Sequence, residues 1–273
     1  ASRCSQGGVL MRLIIVGPGR AGGTLARAAV VAGHDVVGVL SRSGIETYGP
    51  SLAWDEDLPD ADVVLIAVKD DSIPEVVERL EGHLGSVAVA AHLSGFVPVL
   101  ALHPFVADGV AIGGFHPLFS MPDPESGLKG IKGAYVGIGG EPLAVDTLTH
   151  FADSLELETF ALEDEARPAY HAAAAAAANF VVTSLAISAD LFESAGIDPV
   201  VSRPLVEGVI SNCFENGPSR SLTGPIARGD VDTVIGHLTA AHDVSSEVGL
   251  QFKLMAEATA VRAGREEDLK KWK

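Results

Sequence analysis

The sequence predicts an α/β domain built on a parallel sheet, followed by an all-α domain. Three observations carry that prediction. At 273 residues the chain exceeds the roughly 100–200 residues of an ordinary domain. Its first half alternates short apolar runs with helical periodicity, as a sheet with crossover helices requires. After Arg167 the strand patterns stop and long helical segments take over. The expected domains are 11–166 and 167–273.

Taken in order, Leu13–Val16 reads as a first strand, Gly22–Ala32 as a helix and Val36–Leu40 as a second strand. Val63–Val68 is continuous in Val, Leu and Ile, as a strand covered on both faces should be. Ile73–Leu80 is helical, and Val87–Ala91, Ala111–Phe115 and Ala134–Ile138 supply further strands. A helix near Leu143–Ser154 and a strand at Leu157–Leu162 complete the first domain. The second reads as helices Ala169–Ala195, Val200–Glu215, Val231–Ala241 and Val244–Ala263, with Pro199 in a first turn and Asp230 and Asp243 as N-caps.

Composition narrows the function. A formal net charge of −17 disfavours nucleic acid and anionic membrane as partners, since both require clustered Lys and Arg. The alanine-rich stretch Ala172–Leu191 is interrupted by Asn179, Thr183, Ser184, Ser188 and Asp190. It is expected to be a buried helix and not a membrane span. Cys4 and Cys213 have no metal-ligand spacing, and a reducing cytoplasm is the simplest compartment. Ala1–Leu10 precede Met11 and a strong strand; they look like a leader or a misassigned start and lack the regions of a signal peptide.

The strand Leu13–Val16 runs directly into Gly17-Pro18-Gly19-Arg20-Ala21-Gly22 and then a helix. That is G-x-G-x-x-G in the strand–turn–helix context of a Rossmann-like dinucleotide site. Gly17 permits the tight turn, Gly19 lets backbone approach a pyrophosphate, and Gly22 lets helix and strand pack closely. Arg20, Ala21 and Gly22 then present helix N-terminal amides to the anion. The second strand ends in Ser41-Arg42-Ser43, where an NAD enzyme usually carries Asp or Glu. Arg42 and the serine hydroxyls suit a 2′-phosphate, so NADP is the expected cofactor, with Val68 also lining its site. Asp70 and Asp71 lack a third ligand, so they are expected to form a loop and helix cap, and no metal is expected.

Three further motifs are Ala91-His92-Leu93-Ser94-Gly95, Gly114-Phe115-His116-Pro117-Leu118, and Leu222-Thr223-Gly224-Pro225-Ile226-Ala227-Arg228-Gly229-Asp230. With Tyr170-His171 and Asn179, they resemble predicted NADP-dependent oxidoreductases of the 6-phosphogluconate-dehydrogenase-like superfamily. The resemblance implies a Rossmann-like domain followed by an all-α, 6-phosphogluconate-dehydrogenase-like C-terminal domain. More distantly similar are pyrroline-5-carboxylate reductase, ketopantoate reductase and prephenate dehydrogenase. Hydroxyacid dehydrogenases of the superfamily place a catalytic lysine four residues before an asparagine; here that position is Ala175.

Hydride transfer needs a dry pocket and a proton donor or acceptor beside the reacting atom. His92, Ser94 and His116 follow strands, where ligands of such folds sit. His171 and Asn179 lie about 80° apart on an ideal helix and can share a broad face. The catalytic candidates are therefore His116, His92, Ser94, His171 and Asn179. Thr223 and Arg228 are candidates for substrate binding, against the alternatives of a closed turn and a salt bridge to Asp230. The leading expectation is NADP-dependent reduction of a C=O or C=N bond in a small anionic metabolite, ketopantoate being one option. The alternatives are a prephenate-type oxidative dehydrogenase and a non-catalytic NADP-binding sensor or scaffold. A homodimer is expected from the long helical half.

Overall fold

The computed structural model describes residues 10–42 and 48–272. The chain divides into two compact units, the first ending at Ala175 and the second running Ala176–Lys273.

The first unit is a seven-stranded sheet in the order β2-β1-β3-β4-β5-β6-β7. Its strands are β1 Arg12–Val16, β2 Asp35–Leu40, β3 Val63–Ile66, β4 Val89–His92, β5 Ala111–Leu118, β6 Tyr135–Gly140 and β7 Glu158–Ala161. Side chains alternate across β1, so Leu13 and Ile15 join one hydrophobic cluster and Ile14 and Val16 the other. The first cluster includes Leu25, Ala26 and Ala29 of α1 (Arg20–Val31) and Leu148 and Phe151 of α4 (Pro142–Ser154). The second includes Ile73, Val77 and Leu80 of α2 (Ile73–Leu80) and Leu102 and Phe105 of a 3-10 segment, Val99–Asp108. Covering on both faces explains the unbroken apolar runs of β1 and β3.

Two sequence expectations change here. β6 pairs antiparallel with β5, Gly113 opposite Gly140, so the sheet is not wholly parallel. The connection carries only the short α3 (Pro124–Gly130), which packs on α1 around Gly23 and Thr24. The chain thus turns back beside β5 without crossing the sheet face. Asp70 and Asp71 form a 3-10 turn, and α2 begins after Ser72 with no side-chain cap.

The expected single helix Ala169–Ala195 is α5 (Arg167–Ala175), a π-helical turn Ala176–Phe180, and α6 (Val181–Ser194). Nor is it buried: only 6% of its most apolar window is covered, although the run Asp164–Ser194 has the length and composition to cross a membrane.

After a 3-10 turn at Pro199–Ser202, the second unit continues with α7 (Arg203–Asn216), α8 (Pro218–Ser221), α9 (Pro225–Arg228), α10 (Val231–Val244) and α11 (Ser246–Arg262). Asp243 lies inside α10; the cap of α11 is Ser245, whose hydroxyl accepts from the Val248 amide at 3.1 Å. Asp230 stands at the start of α10 but caps nothing, because its carboxylate is taken by Arg228. The buried apolar residues of this unit form two small clusters, around Val234, Ala256, Ala260 and Trp272 and around Ile187, Ala241 and Val248.

The glycine turn after β1 separates packing from open surface. A Cβ on Gly22 would lie 2.3 Å from the Gly17 carbonyl oxygen, whereas one on Gly19 would meet nothing within 4 Å. Gly22→Ala should therefore cost about 1–3 kcal/mol in thermal or urea unfolding, while Gly19→Ala should leave the midpoint unchanged. Equal midpoints for the two variants would contradict this packing.

Candidate functional site

The strand order reverses at β1, with β2 on one side and β3 on the other, and a crevice opens beyond their C-terminal ends. Gly17 has φ of +88° and donates to the Leu40 carbonyl at 2.8 Å, tying the turn to the end of β2. A side chain on Gly17 would strike Ala67 and Val68. Gly19 is the N-cap of α1, and no side chain caps the helix. The amides of Arg20, Ala21 and Gly22 therefore have no intrahelical acceptor.

A cleft of about 320 Å³ occupies this point, lined by Gly17, Gly19, Ser41, Arg42 and Val68 among others. Of the residues expected here, Ser43 lies outside the described residues. The same cleft is lined by Trp54, Lys69, Ser72, Glu75 and Arg79, which motif reasoning missed. Ser72, Glu75, Val76 and Arg79 show the i, i+3, i+4, i+7 spacing of one helix face, a signal that could have revealed them.

A second cluster forms farther along the sheet. His92 ends β4 opposite Gly114 of β5, and His116 lies two residues farther along β5. His116 Nδ1 and the Tyr170 hydroxyl share a hydrogen bond of 2.6 Å, and the two rings meet edge-on at 5.3 Å. The His171 ring lies 5.9 Å from that of His116 and 6.2 Å from Phe96. Gly95 sits against both imidazoles: a Cβ there would come within 2.8 Å of His116 Cδ2 and of His171 Nδ1. Ser94 closes its loop, its hydroxyl oxygen accepting from the Phe96 and Val97 amides at 3.1 and 2.9 Å. His92 donates through Nε2 to the Pro98 carbonyl at 3.3 Å.

Behind these groups lies Arg167, with no solvent exposure. Its Nε donates to Asp164 at 2.7 Å and its Nη1 to the Ser94 carbonyl at 2.9 Å. Asp164 also accepts from the Val99 amide at 2.8 Å, so one carboxylate fixes both the guanidinium and the segment after the Ser94 loop. Burial opposes ionisation of Asp164, but the hydrogen bonds from Val99, Arg167 and Leu100 prevail and hold it below the ordinary carboxylate value. Among the described residues Arg167 Nη2, His92 Nδ1 and His171 Nδ1 are buried without a hydrogen-bond partner, a concentration that sets this region apart.

Desolvation and then the neighbouring His171 and Arg167 push His116 down to about 4. Desolvation followed by the Arg167 charge lowers His92 to about 4 as well. Tyr170 is raised to about 12 by burial, so it keeps its proton at neutral pH.

The remaining candidates fall in the second unit. Asn179 lies in the π-helical turn, where ideal-helix spacing from His171 does not apply, and its carbonyl accepts from Thr183 at 3.0 Å. Thr223 is exposed. Arg228 pairs with Asp230 through Nη2 at 2.7 Å and Nε at 3.0 Å. Among the described residues no three His, Cys, Asp or Glu side chains converge on a metal position.

Residues 134–259 match a family model described as a domain of unknown function, DUF2520. No curated protein matches the chain. Among solved structures, a Bacteroides fragilis protein assigned provisionally as an NADP oxidoreductase is similar at TM-score 0.79 and 21% identity, covering 92% of this chain and 98% of that one. A Thermotoga maritima protein is similar at TM-score 0.65 and 25% identity, covering 93% and 99%. Plasmodium falciparum pyrroline carboxylate reductase, solved with NADP bound, is similar at TM-score 0.62 and 16% identity, covering 93% and 98%. The chain shares their fold, a Rossmann-like sheet followed by a helical C-terminal region.

The depressed histidines carry a stability signature. In the unfolded chain both titrate near 6.5 and in the folded chain near 4, so the unfolded state takes up protons first as pH falls. Their contribution to stability is complete above the unfolded value and is lost as pH falls through this window. The urea midpoint should therefore decline from about pH 7 to about pH 5, above the ordinary carboxylate range. A level midpoint would contradict the depression.

Proposed function

We propose that this chain is an NADP-dependent oxidoreductase that reduces a C=O or C=N bond in a small carboxylate-bearing metabolite. The observation that carries the reading is the cleft at the strand-order reversal, which Gly17, Gly19 and Arg42 line beside the uncapped start of α1. The residues fit a dinucleotide phosphate. Gly19 leaves room for a pyrophosphate, and Arg42 at the end of β2 suits a 2′-phosphate better than the diol of NAD. NADP assigned to or bound in structures of the same fold adds support. The bound dinucleotide would supply the hydride.

His116 and Tyr170 are the proton-handling pair in this reading. With the imidazole proton on Nε2, Tyr170 donates to Nδ1 while Nε2–H points toward Gly95. Reduction would draw a proton from Nε2 as Nδ1 accepts one from Tyr170; solvent then reprotonates Nε2 while Nδ1 returns its proton to the phenolate, so that both groups recover their starting state. His92, His171 and Ser94 shape the surroundings of that pair. Oxidation of an alcohol is the second reading, and one observation favours it: an imidazole lowered to about 4 is in the proton-accepting form at neutral pH. Matched substrates offered with NADPH and with NADP+ separate the two directions.

The second unit supports a homodimer. Phe180, Val182, Leu205 and Phe214 are 62%, 66%, 68% and 89% exposed, while its buried core is small. Faces of this kind are ordinarily covered by another chain. Sedimentation velocity should give a dimer, and Leu205→Glu with Phe214→Glu should shift it to monomer. A monomeric wild type would overturn the assembly and leave the cofactor reading standing.

The cofactor reading is tested by titrating the protein with NADPH and NADH, followed by nucleotide fluorescence. NADPH should bind more tightly, and Arg42→Ala should weaken NADPH by about tenfold, as loss of one charge-assisted contact implies, with little effect on NADH. A chain that binds neither nucleotide is not an oxidoreductase of this kind.

A further inference from the structure

We infer that Arg79, stacked on Trp54, is a second phosphate-recognising guanidinium of the cleft, selecting the phosphorylated adenosine end of NADP(H) over that of NAD(H). The inference rests on the NADP reading above and adds residues that no glycine or β2-end motif contains.

Trp54 is held at the end of β2 by backbone. Val39 donates to Pro50 at 2.8 Å and accepts from Leu52 at 2.9 Å, extending the sheet by one bridge to Ser51. The indole Nε1 then donates to the Ser41 carbonyl at 3.4 Å, one residue before Arg42. The Trp54 ring is thereby brought beside the position where a 2′-phosphate would lie.

Arg79 arrives from another direction, on the cleft-lining face of α2. Its guanidinium carbon lies 4.4 Å from the centroid of the Trp54 ring. Stacking on an indole fixes the plane of a guanidinium and leaves its N–H edges free to donate. Those edges are little used. The nearest acid, Asp55, is 3.6 Å away and 92% exposed, too distant for a hydrogen bond and screened by water. Among the described residues Arg79 makes no hydrogen bond. A planar donor fork, held in place and engaged only by a loose, solvent-exposed ion pair with Asp55, suits a phosphate oxygen pair.

Charge supports the same assignment. In a chain of net charge −17, this cleft gathers Arg42, Lys69 and Arg79 against one acid, Glu75. The pyrophosphate common to both dinucleotides lies at the glycine turn, whereas Arg42 at the end of β2 and Arg79 beside Trp54 suit the phosphate that only NADP(H) adds. Arg79 is thus a specificity-determining residue, and Trp54 is a positioning residue that acts through it.

Calorimetric titration of the full chain with adenosine 2′,5′-bisphosphate and adenosine 5′-monophosphate isolates this end of the site from nicotinamide and turnover. Arg79→Met should weaken the bisphosphate about tenfold and the monophosphate less than about twofold, as removal of a charge-assisted contact predicts. Trp54→Leu should move the same ratio in the same direction by less, and Arg79→Lys should restore only part of it, because an ammonium lacks the planar fork. An Arg79→Met variant whose two affinities fall together, or not at all, overturns the inference while leaving the NADP reading intact. A wild-type chain that binds neither adenosine phosphate nor NADPH overturns both.

Discussion

The first unit is organised around a charge that water does not reach. A guanidinium with no exposure is costly unless its donors are answered; Asp164 answers Nε and the Ser94 carbonyl answers Nη1, while Nη2 is left without a partner among the described residues. Much of the neighbourhood follows from that requirement. A Cβ on Gly114 would lie 2.2 Å from Arg167 Nη2, so this position of β5 must stay bare. Asp164 also holds the Val99 amide, so the ion pair anchors the segment that follows the Ser94 loop. That loop carries Gly95 against the imidazoles of His116 and His171. The same positive charge helps to keep His92 and His116 neutral. Packing and loop geometry around the site thus depend on one buried side chain, and its charge adds to the desolvation that lowers the two histidines.

The cleft is governed by different physics. In the proposed reading its anion would be held by backbone amides at the start of α1 and by a few cations in a strongly acidic chain. The long-range field of such a chain opposes an approaching phosphate, so attraction must come from groups within about a Debye length, roughly 8–10 Å in physiological salt. Arg42 and Arg79, brought together from β2's end and from α2, supply that short-range attraction in the reading developed above. The helical unit departs furthest from ordinary packing: most of the Phe180–Leu185 stretch is exposed, just where a π-helical turn interrupts the alanine-rich run.

The glycine turn was legible because its chemistry is local. Positive φ at Gly17 and close packing at Gly22 are needs that only glycine meets, and they sit within six residues of one strand. Histidines at strand ends were legible for the same reason. Arg167 was not, since a lone arginine at a helix start reads as a solvated side chain until the sheet encloses it. Tyr170 stood inside a recognised motif, but its pairing with His116 spans 54 positions. Trp54 and Arg79 likewise meet only when a bridge beside β2 and a face of α2 converge.

By itself the sequence determined the alternation of strands and helices, the glycine-turn geometry and the switch to an all-α second half, because each follows from periodicity or from a steric demand within a few residues. The tertiary structure decided the reversed direction of β6, the breaking of the alanine-rich helix, the burial of Arg167 and the protonation of the histidines around it. Those depend on which distant segments surround a group and exclude water from it, and that information is not carried in any short stretch of chain.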